Sequence, residues 1–390
     1  MKRMSWITSL LFLSILFGFA AAFVLLPDKS FSEQENRGLR TLPSFSWDQL
    51  VSGDFSGAVN DYFADQFPLR DTLVGWKGAS EIALGKGEND GILLGAEGQL
   101  ARRQFEMRCA DGSTLTDADA FDPETVRAAC TGINRAADAL PCPFHVLLTG
   151  RNIDVAASAF DYPTEISDAL LDSIRRELEP SVQRVETVSL LRERFRAGEQ
   201  VYYKTDHHWT TLGAYYAYCE VMKAYGMEEQ ILPAKRFTRQ TVSDHFYGTL
   251  WSAGGMKWVQ PDTVEFWLLG NEGDFAVTAD GKPLEGLYTR SWLQKKDCYS
   301  AFLDGTHDVV TVRMSTGEPR PVLLLLKDSF ANSLAPFLAQ HFDLVLLNLS
   351  SSRADYTDLS AAADQYGADR VLLVYTLENV ITADKLSRLH

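Results

Sequence analysis

The chain has 390 residues, of which 46% are hydrophobic and 23% charged, and its formal net charge is −15. That is enough apolar material for one large domain or two smaller ones, and it excludes a disordered or low-complexity protein. The strong negative charge, with no basic stripe in the sequence, excludes nucleic acid as a partner.

The first predicted element is an apolar segment from Trp6 to Leu26, preceded by Lys2 and Arg3. About 20 apolar residues suffice to cross a bilayer as a helix, and basic residues before the segment favour an N-terminus inside the cell. A cleaved signal peptide is the alternative, because Ala20-Ala21-Ala22 offers small residues at a cleavage point. We expect residues 1–27 to be a single-pass anchor, with the functional domain extracytoplasmic at the cell membrane.

Residues 28–85 are predicted to form a juxtamembrane helical segment. Apolar residues recur at helical spacing over 47–63 and again over 69–82, and Pro68 marks the break between the two patterns.

Residues 86–390 are predicted to form an α/β domain. Short apolar runs typical of buried strands alternate with helical patterns, which favours a doubly wound, mostly parallel sheet. The predicted strands cover residues 144–148, 185–190, 201–203, 322–326, 344–347 and 371–375. Residues 229–320 interrupt the alternation with aromatics, glycines and turn pairs, and we interpret them as a β-rich insertion.

The segment from Lys204 to Thr210 is the first that carries chemistry. If it is extended, alternate side chains point the same way, so Asp206 and His208 share a side and His207 faces away. An aspartate beside an imidazole can fix the tautomer of the ring and stabilise its protonated form. Thr210 or Thr211 is expected to cap the helix that follows.

A metal site is an alternative for the same segment, with Asp206, His207, His208 and His245 as ligands. Neighbouring histidines point apart on a strand, however, and no second ligand pair stands at a fixed spacing. The five cysteines include no C-x-x-C pair, which argues against structural zinc. We therefore expect no metal and no cofactor.

The second such segment is the leucine run 323–326 followed by Lys327-Asp328-Ser329. In open α/β sheets ligands bind beyond the carboxyl ends of strands, where this serine would lie. A helical pattern follows, so backbone N–H groups after Ser329 could stabilise an oxyanion. Alternatively, Asp328 or Ser329 is simply a helix cap.

Together these segments resemble the DHHW protein family, named for the tetrapeptide that stands here as Asp206-His207-His208-Trp209. That family is similar to the exported, SGNH-hydrolase-like proteins of alginate O-acetylation. Further motifs of the resemblance are Glu35-Asn36-Arg37 with Pro43, Asp65-Gln66-Phe67-Pro68-Leu69-Arg70-Asp71, Phe246-Tyr247-Gly248-Thr249-Leu250 and Lys327 to Ser333 with Pro336-Phe337-Leu338.

The resemblance implies an SGNH-hydrolase-like fold and a triad of Asp206, His208 and Ser329. It does not assign oxyanion donors firmly. Our candidates for oxyanion or substrate contacts are Arg151 and Asn152, beside Gly150 at the end of the first strand, and also Asn332 and Trp209.

The activity implied is O-acyl transfer, with acetyl the expected group, onto an exported cell-surface polysaccharide. An integral-membrane acyltransferase would supply the acyl group, because acetyl-CoA is cytoplasmic. A carbohydrate esterase with the same triad is one alternative, and a non-catalytic glycan-binding or scaffold protein is another.

Overall fold

The computed structural model describes residues 2–32, 37–102, 107–108, 114–115, 122–161, 166–315, 317, 319–349, 356–382 and 384–390. The motif residues Glu35 and Asn36, and Cys109, lie outside this part of the chain. The chain divides into two compact units: residues 1–90 with 252–258, and residues 91–251 with 259–390. The boundary predicted between 85 and 86 is close to the first of these divisions.

The first unit is mainly helical. Its elements are α1 (Lys2–Leu25), β1 (Phe31–Ser32), β2 (Arg37–Gly38), α2 (Trp47–Ser52), α3 (Asp54–Asp65), α4 (Arg70–Ala83) and β3 (Glu88–Asn89). Within α1, Trp6–Leu25 is long and apolar enough to cross a membrane. The helical pattern over 47–63 forms two helices, because Gly53 has a φ of 88° in the left-handed region.

The second unit contains the remaining elements. Its strands are β4 (Ile92–Leu94), β5 (Leu100–Arg102), β6 (Met107–Arg108), β7 (Thr114–Leu115), β8 (Phe144–Thr149), β9 (Val182–Glu186), β10 (Thr238–Phe246), β11 (Asp262–Leu268), β12 (Phe275–Ala279), β13 (Lys282–Pro283), β14 (Val309–Met314), β15 (Val322–Lys327), β16 (Asp343–Asn348) and β17 (Arg370–Thr376). Its helices are α5 (Pro123–Ala139), α6 (Asn152–Val155), α7 (Ile166–Glu177), α8 (Val188–Arg196), α9 (Thr211–Ala224), α10 (Thr249–Gly254, whose last residues belong to the first unit), α11 (Ala331–Leu338), α12 (Leu359–Tyr366) and α13 (Leu377–Thr382).

One large sheet organises the second unit, with strand order β13-β12-β14-β16-β15-β17-β8-β9. The five strands from β16 to β9 are parallel, and β14, β12 and β13 add antiparallel strands at one edge. The doubly wound, mostly parallel α/β sheet predicted from the sequence is thus confirmed.

The leucine run explains why β15 is central. Leu323 and Leu325 pack into one apolar core with α9 and α11, whereas Leu324 and Leu326 pack into the opposite core with α5, α7 and α12. Because side chains alternate along a strand, a continuous apolar run fits only a strand covered on both faces. Its end, at Lys327, therefore lies at the carboxyl edge of the sheet.

Three local predictions need correction. The strand predicted over 185–190 is instead β9, ending at Glu186, followed by α8. The strand predicted over 201–203 is absent there, and only an isolated bridge joins Tyr202 to Trp209. Within 229–320, β10 and β11 pair separately as an insertion would, whereas β12 to β14 extend the main sheet.

Candidate active site

The segment predicted to be extended, 204–208, is a tight loop. The Tyr203 N–H donates to the His208 carbonyl (3.1 Å), and the Thr210 N–H donates to the Val201 carbonyl (3.0 Å). The buried Asp262 carboxylate accepts from the backbone N–H groups of Lys204 (2.9 Å) and Thr205 (2.7 Å). The expected alternation of side chains is therefore wrong, because these bonds turn the backbone back on itself.

The loop nevertheless brings the predicted triad together. The Asp206 Oδ1 lies 2.6 Å from His208 Nδ1, and His208 Nε2 lies 2.6 Å from Ser329 Oγ. With Nδ1 protonated, His208 donates to the carboxylate and its Nε2 accepts the serine proton. This arrangement can raise the nucleophilicity of the Ser329 hydroxyl.

The Asp206 carboxylate is buried and fully hydrogen-bonded. Its Oδ1 also accepts from the His208 N–H (3.0 Å), and Oδ2 accepts from the N–H (2.9 Å) and hydroxyl (3.1 Å) of Thr249. Burial opposes ionisation, but the neighbouring imidazoles and these bonds outweigh it, so the pKa of Asp206 lies well below its usual range.

Gly248 permits this close approach. A Cβ at position 248 would lie 2.2 Å from the Asp206 Cβ and 2.5 Å from its Oδ2, so no side chain fits there. The glycine within the Phe246–Leu250 motif is therefore required by the position of the Asp206 carboxylate.

A second buried aspartate shapes the turn that holds Ser329. Asp328 Oδ1 accepts from the Phe330 N–H (3.0 Å), and its Oδ2 accepts from the Thr376 N–H (2.7 Å) and the Asn379 amide (2.9 Å). Burial raises the pKa of Asp328 despite these bonds. Thr210, as predicted, caps α9 by accepting from the Gly213 N–H.

Aromatic rings enclose His208. The Tyr299 ring stacks on it, with centroids 3.7 Å apart and planes 11° apart, and the His207 ring lies 3.9 Å away. The Phe330 ring also approaches His208, with centroids 4.9 Å apart. The Tyr299 hydroxyl also donates to the Ser329 carbonyl (3.0 Å), which joins the imidazole and the nucleophile through one side chain.

A cavity of about 390 Å³ opens beside Ser329. Ser329 and His207 line it, together with Arg102, Arg151 and Glu378. Arg151 is held beside Asp154, at 3.2 Å between its guanidinium and the carboxylate. Ser329 therefore borders a space of the size that small-molecule sites have.

All four candidate contact residues use side-chain donors within the protein. The Asn152 amide donates to the carbonyls of Tyr203 (3.0 Å) and Asp206 (2.8 Å), and so supports the loop. The Asn332 amide donates to the Gly305 carbonyl (2.9 Å), and the Trp209 indole N–H donates to Ser333 Oγ (2.8 Å). Arg151 donates to Asp154 through Nε (3.3 Å) and Nη2 (3.2 Å), and it lines the cavity together with Asn152.

The first turn after the nucleophile leaves one amide available. The N–H groups of Phe330, Ala331 and Asn332 donate to Asp328 or to the Ser329 carbonyl. Among the residues that the structure describes, Ser329's own N–H has no such acceptor. Within these four consecutive residues, the helix N-terminal N–H groups are therefore occupied and the Ser329 N–H is not.

The possible metal ligands Asp206, His207 and His208 do lie within 4.8 Å of one another. Both ring nitrogens of His208 already bond to Asp206 and Ser329, so a metal would have to break the triad. His245 stands outside this group, exposed beside Asp244. The arrangement favours the triad over a metal centre.

Solved structures share the fold of this chain. PatB1 of Bacillus cereus, with a sulfonyl adduct, aligns at a TM-score of 0.60 with 19% identity, covering 74% of this chain and 99% of that one. A DHHW family protein from Eubacterium siraeum aligns at 0.55 with 19% identity, covering 76% and 97%. At these identities the likeness establishes the fold alone: the chain has the SGNH-hydrolase-like α/β fold predicted from the sequence.

The family comparison is more specific. Residues 173–348 match the family model described as DHHW protein, which confirms the predicted resemblance across this range. The range contains all three members of the triad. No curated protein sequence matches the chain.

Several residues of the site were not predicted. Thr249 belongs to the Phe246–Leu250 motif, so the sequence contained a signal for it. Tyr299 and Asp262 stand in stretches without a pattern, and only the fold shows that they approach His208 and the 204–208 loop.

Proposed function

We propose that this protein transfers an acyl group through Ser329, as an extracytoplasmic O-acyltransferase acting on a cell-surface polysaccharide. The observation that carries the proposal is the continuous hydrogen-bonded chain from Asp206 through His208 to Ser329, with 2.6 Å at each step. The preference for acetyl rests on the resemblance to proteins of alginate O-acetylation.

In the first half of the reaction, Ser329 Oγ attacks the carbonyl carbon of an acyl donor while His208 Nε2 takes the hydroxyl proton. Asp206 holds Nδ1–H and stabilises the imidazolium. The Ser329 N–H stabilises the oxyanion, and Arg151 lines the same cavity. The leaving group departs with the proton from His208, which leaves an acyl-serine.

In the second half, a sugar hydroxyl gives its proton to His208 and attacks the acyl-serine. The product ester leaves and Ser329 recovers its proton. If water attacks instead, the same residues act as an esterase. The N-terminal helix would hold the active site at the outer face of the cell membrane. There an integral-membrane acyltransferase would supply the acyl group.

The decisive experiment treats the full-length protein in detergent with a sulfonyl fluoride and locates the adduct by peptide mass spectrometry. This reagent class suits the test because PatB1, which shares the fold, has been captured with a sulfonyl adduct. We expect one adduct, on Ser329, that is lost in Ser329→Ala and in His208→Ala.

Ser158→Ala is the matched control, because this serine lines a different cavity, and we expect it to label like the wild type. Once Ser329 has been identified by labelling, unlabelled protein is incubated with an activated acetyl ester and an oligosaccharide. Acetylated oligosaccharide as product would support the transferase, and release of acetate alone would support the esterase. No labelling of folded protein would overturn the triad and favour a scaffold.

A further inference from the structure

The first unit differs from the second in what it exposes. Among the described residues, every large apolar side chain that is largely exposed lies in the first unit. Outside α1 these residues are Leu26, Phe31, Leu42, Phe45, Trp47, Leu50, Val51, Phe63, Phe67, Leu69, Trp76, Leu84 and Trp258. Such a concentration on a soluble surface is unusual and marks a surface that contacts another apolar phase.

Contacts of α1 with residues in and just after α3 identify this apolar phase as the lipid bilayer. Phe19 of α1 stacks on Phe67 with ring centroids 5.2 Å apart, and Phe23 stacks on Phe63 at 4.9 Å. At 1.5 Å per residue, Phe19 lies about 9 Å and Phe23 about 3 Å before the end of α1 at Leu25. When α1 spans a bilayer, Phe63 and Phe67 are therefore at the depth of its outer interface.

Polar contacts fasten α3 at this depth. Gln66 accepts from the Lys29 N–H (2.9 Å) and donates to the carbonyls of Lys29 (2.9 Å) and Arg40 (2.8 Å). The Tyr62 hydroxyl donates to Asp28 (3.0 Å). Because Asp28 and Lys29 follow α1 directly, α3 is fastened to the point where the chain leaves the membrane.

The Asp65 carboxylate completes this fastening. It is buried, pairs with Arg37 at 2.6 Å and accepts from the Arg40 N–H at 2.9 Å. The Arg37 guanidinium, opposed by burial, holds the pKa of Asp65 down to about 2. The Asp65–Asp71 motif, which the proposed chemistry does not use, therefore has a structural role at the membrane exit.

We propose that the first unit lies in the outer interface of the bilayer and buries an aromatic collar, Phe45, Trp47, Phe63, Phe67 and Trp76, among lipid headgroups and upper acyl chains. Trp47 and Trp76 are 71% and 69% exposed, and indoles favour this depth because they are apolar with one polar N–H. The collar adds interfacial contact to the anchor and fixes the unit at a defined height.

The test places the full-length protein in vesicles of phosphatidylcholine brominated near the headgroup, which quenches tryptophan at that depth. The background variant is Trp6→Phe, which removes the tryptophan of α1 itself. We expect clear quenching in this background and at least a twofold smaller quenched fraction when Trp47→Phe and Trp76→Phe are added. Trp292→Phe, in the second unit, is the matched control and should leave the quenched fraction unchanged.

These replacements keep an apolar ring at each position, so the fold should be retained and circular dichroism would verify it. Bromines near the chain ends should quench less than bromines near the headgroup. Absence of quenching in the background, or quenching that the double replacement leaves unchanged, would overturn the proposal. The collar would then have to be covered by another protein.

Discussion

Asp206 and Asp328 are both buried beside Ser329, and both accept backbone hydrogen bonds, but their environments differ. Asp206 faces two imidazoles, and its pKa is lowered. Asp328 accepts hydrogen bonds from amide donors, and burial raises its pKa. The comparison shows that burial alone does not define a carboxylate's role: its partner decides whether it stabilises a developing charge or holds the backbone.

Asp328 connects two strands rather than two reacting groups. Through the Thr376 N–H and the Asn379 amide it joins the end of β15 to the end of β17, and through the Phe330 N–H it shapes the turn at Ser329. We therefore regard Asp328 as a positioning residue and Asp206 as part of the reacting chain.

The largest effect is expected for Asp206→Asn. The amide would offer an N–H toward Nδ1 and favour the wrong imidazole tautomer, so the rate of Ser329 sulfonylation should fall about 10³- to 10⁴-fold. The measurement is the labelling rate constant at pH 7.

Asp262→Asn is the control for this substitution. Asp262 holds the same loop through Lys204 and Thr205 but does not touch His208. The Asp262→Asn substitution should lower the free energy of unfolding by about 1–3 kcal/mol, and it should change the labelling rate much less than Asp206→Asn does. Equal losses of rate in the two variants would mean that Asp206 acts only by holding the loop.

Asp328→Asn is expected to have an intermediate effect. In this variant one carboxylate oxygen is replaced by an N–H₂ group, which faces the existing N–H donors and shifts the turn at Ser329. We expect labelling to slow about 10-fold and the free energy of unfolding to fall by about 1–3 kcal/mol. Labelling rates and urea unfolding would measure both. A loss of rate as large as that of Asp206→Asn would remove the distinction between the two carboxylates.

The sheet and the triad could both be predicted from the sequence, but for different reasons. The leucine run 323–326 is short and continuous and is followed by a helical pattern, which favours a strand covered on both faces. The sequence also predicted the three triad residues, because reacting groups stand at the ends of loops and strands in recognisable motifs. These residues are Asp206, His208 and Ser329.

The rest depended on contacts between distant parts of the chain. The fold of the 204–208 loop is set by Asp262, which has no periodicity or motif to mark it. Tyr299 reaches His208 only because 298–301 packs under the Ser329 turn. Three candidates have side chains that could donate a hydrogen bond to substrate, but in the fold these donors bond within the protein. They are Asn152, Asn332 and Trp209.

The smallest effect is a difference in pH dependence between the two aspartates. Folding lowers the pKa of Asp206, so its stabilising contribution is present above about pH 4 and is lost as the pH falls below that value. Folding raises the pKa of Asp328, so the folded state loses stability as the pH rises through the unfolded value near 4. The free energy of unfolding lost in Asp206→Asn should therefore grow between pH 3 and pH 6, whereas the loss in Asp328→Asn should shrink. Urea titrations of both variants against wild type would measure the two slopes, and slopes of the same sign would contradict the assignment of opposite roles.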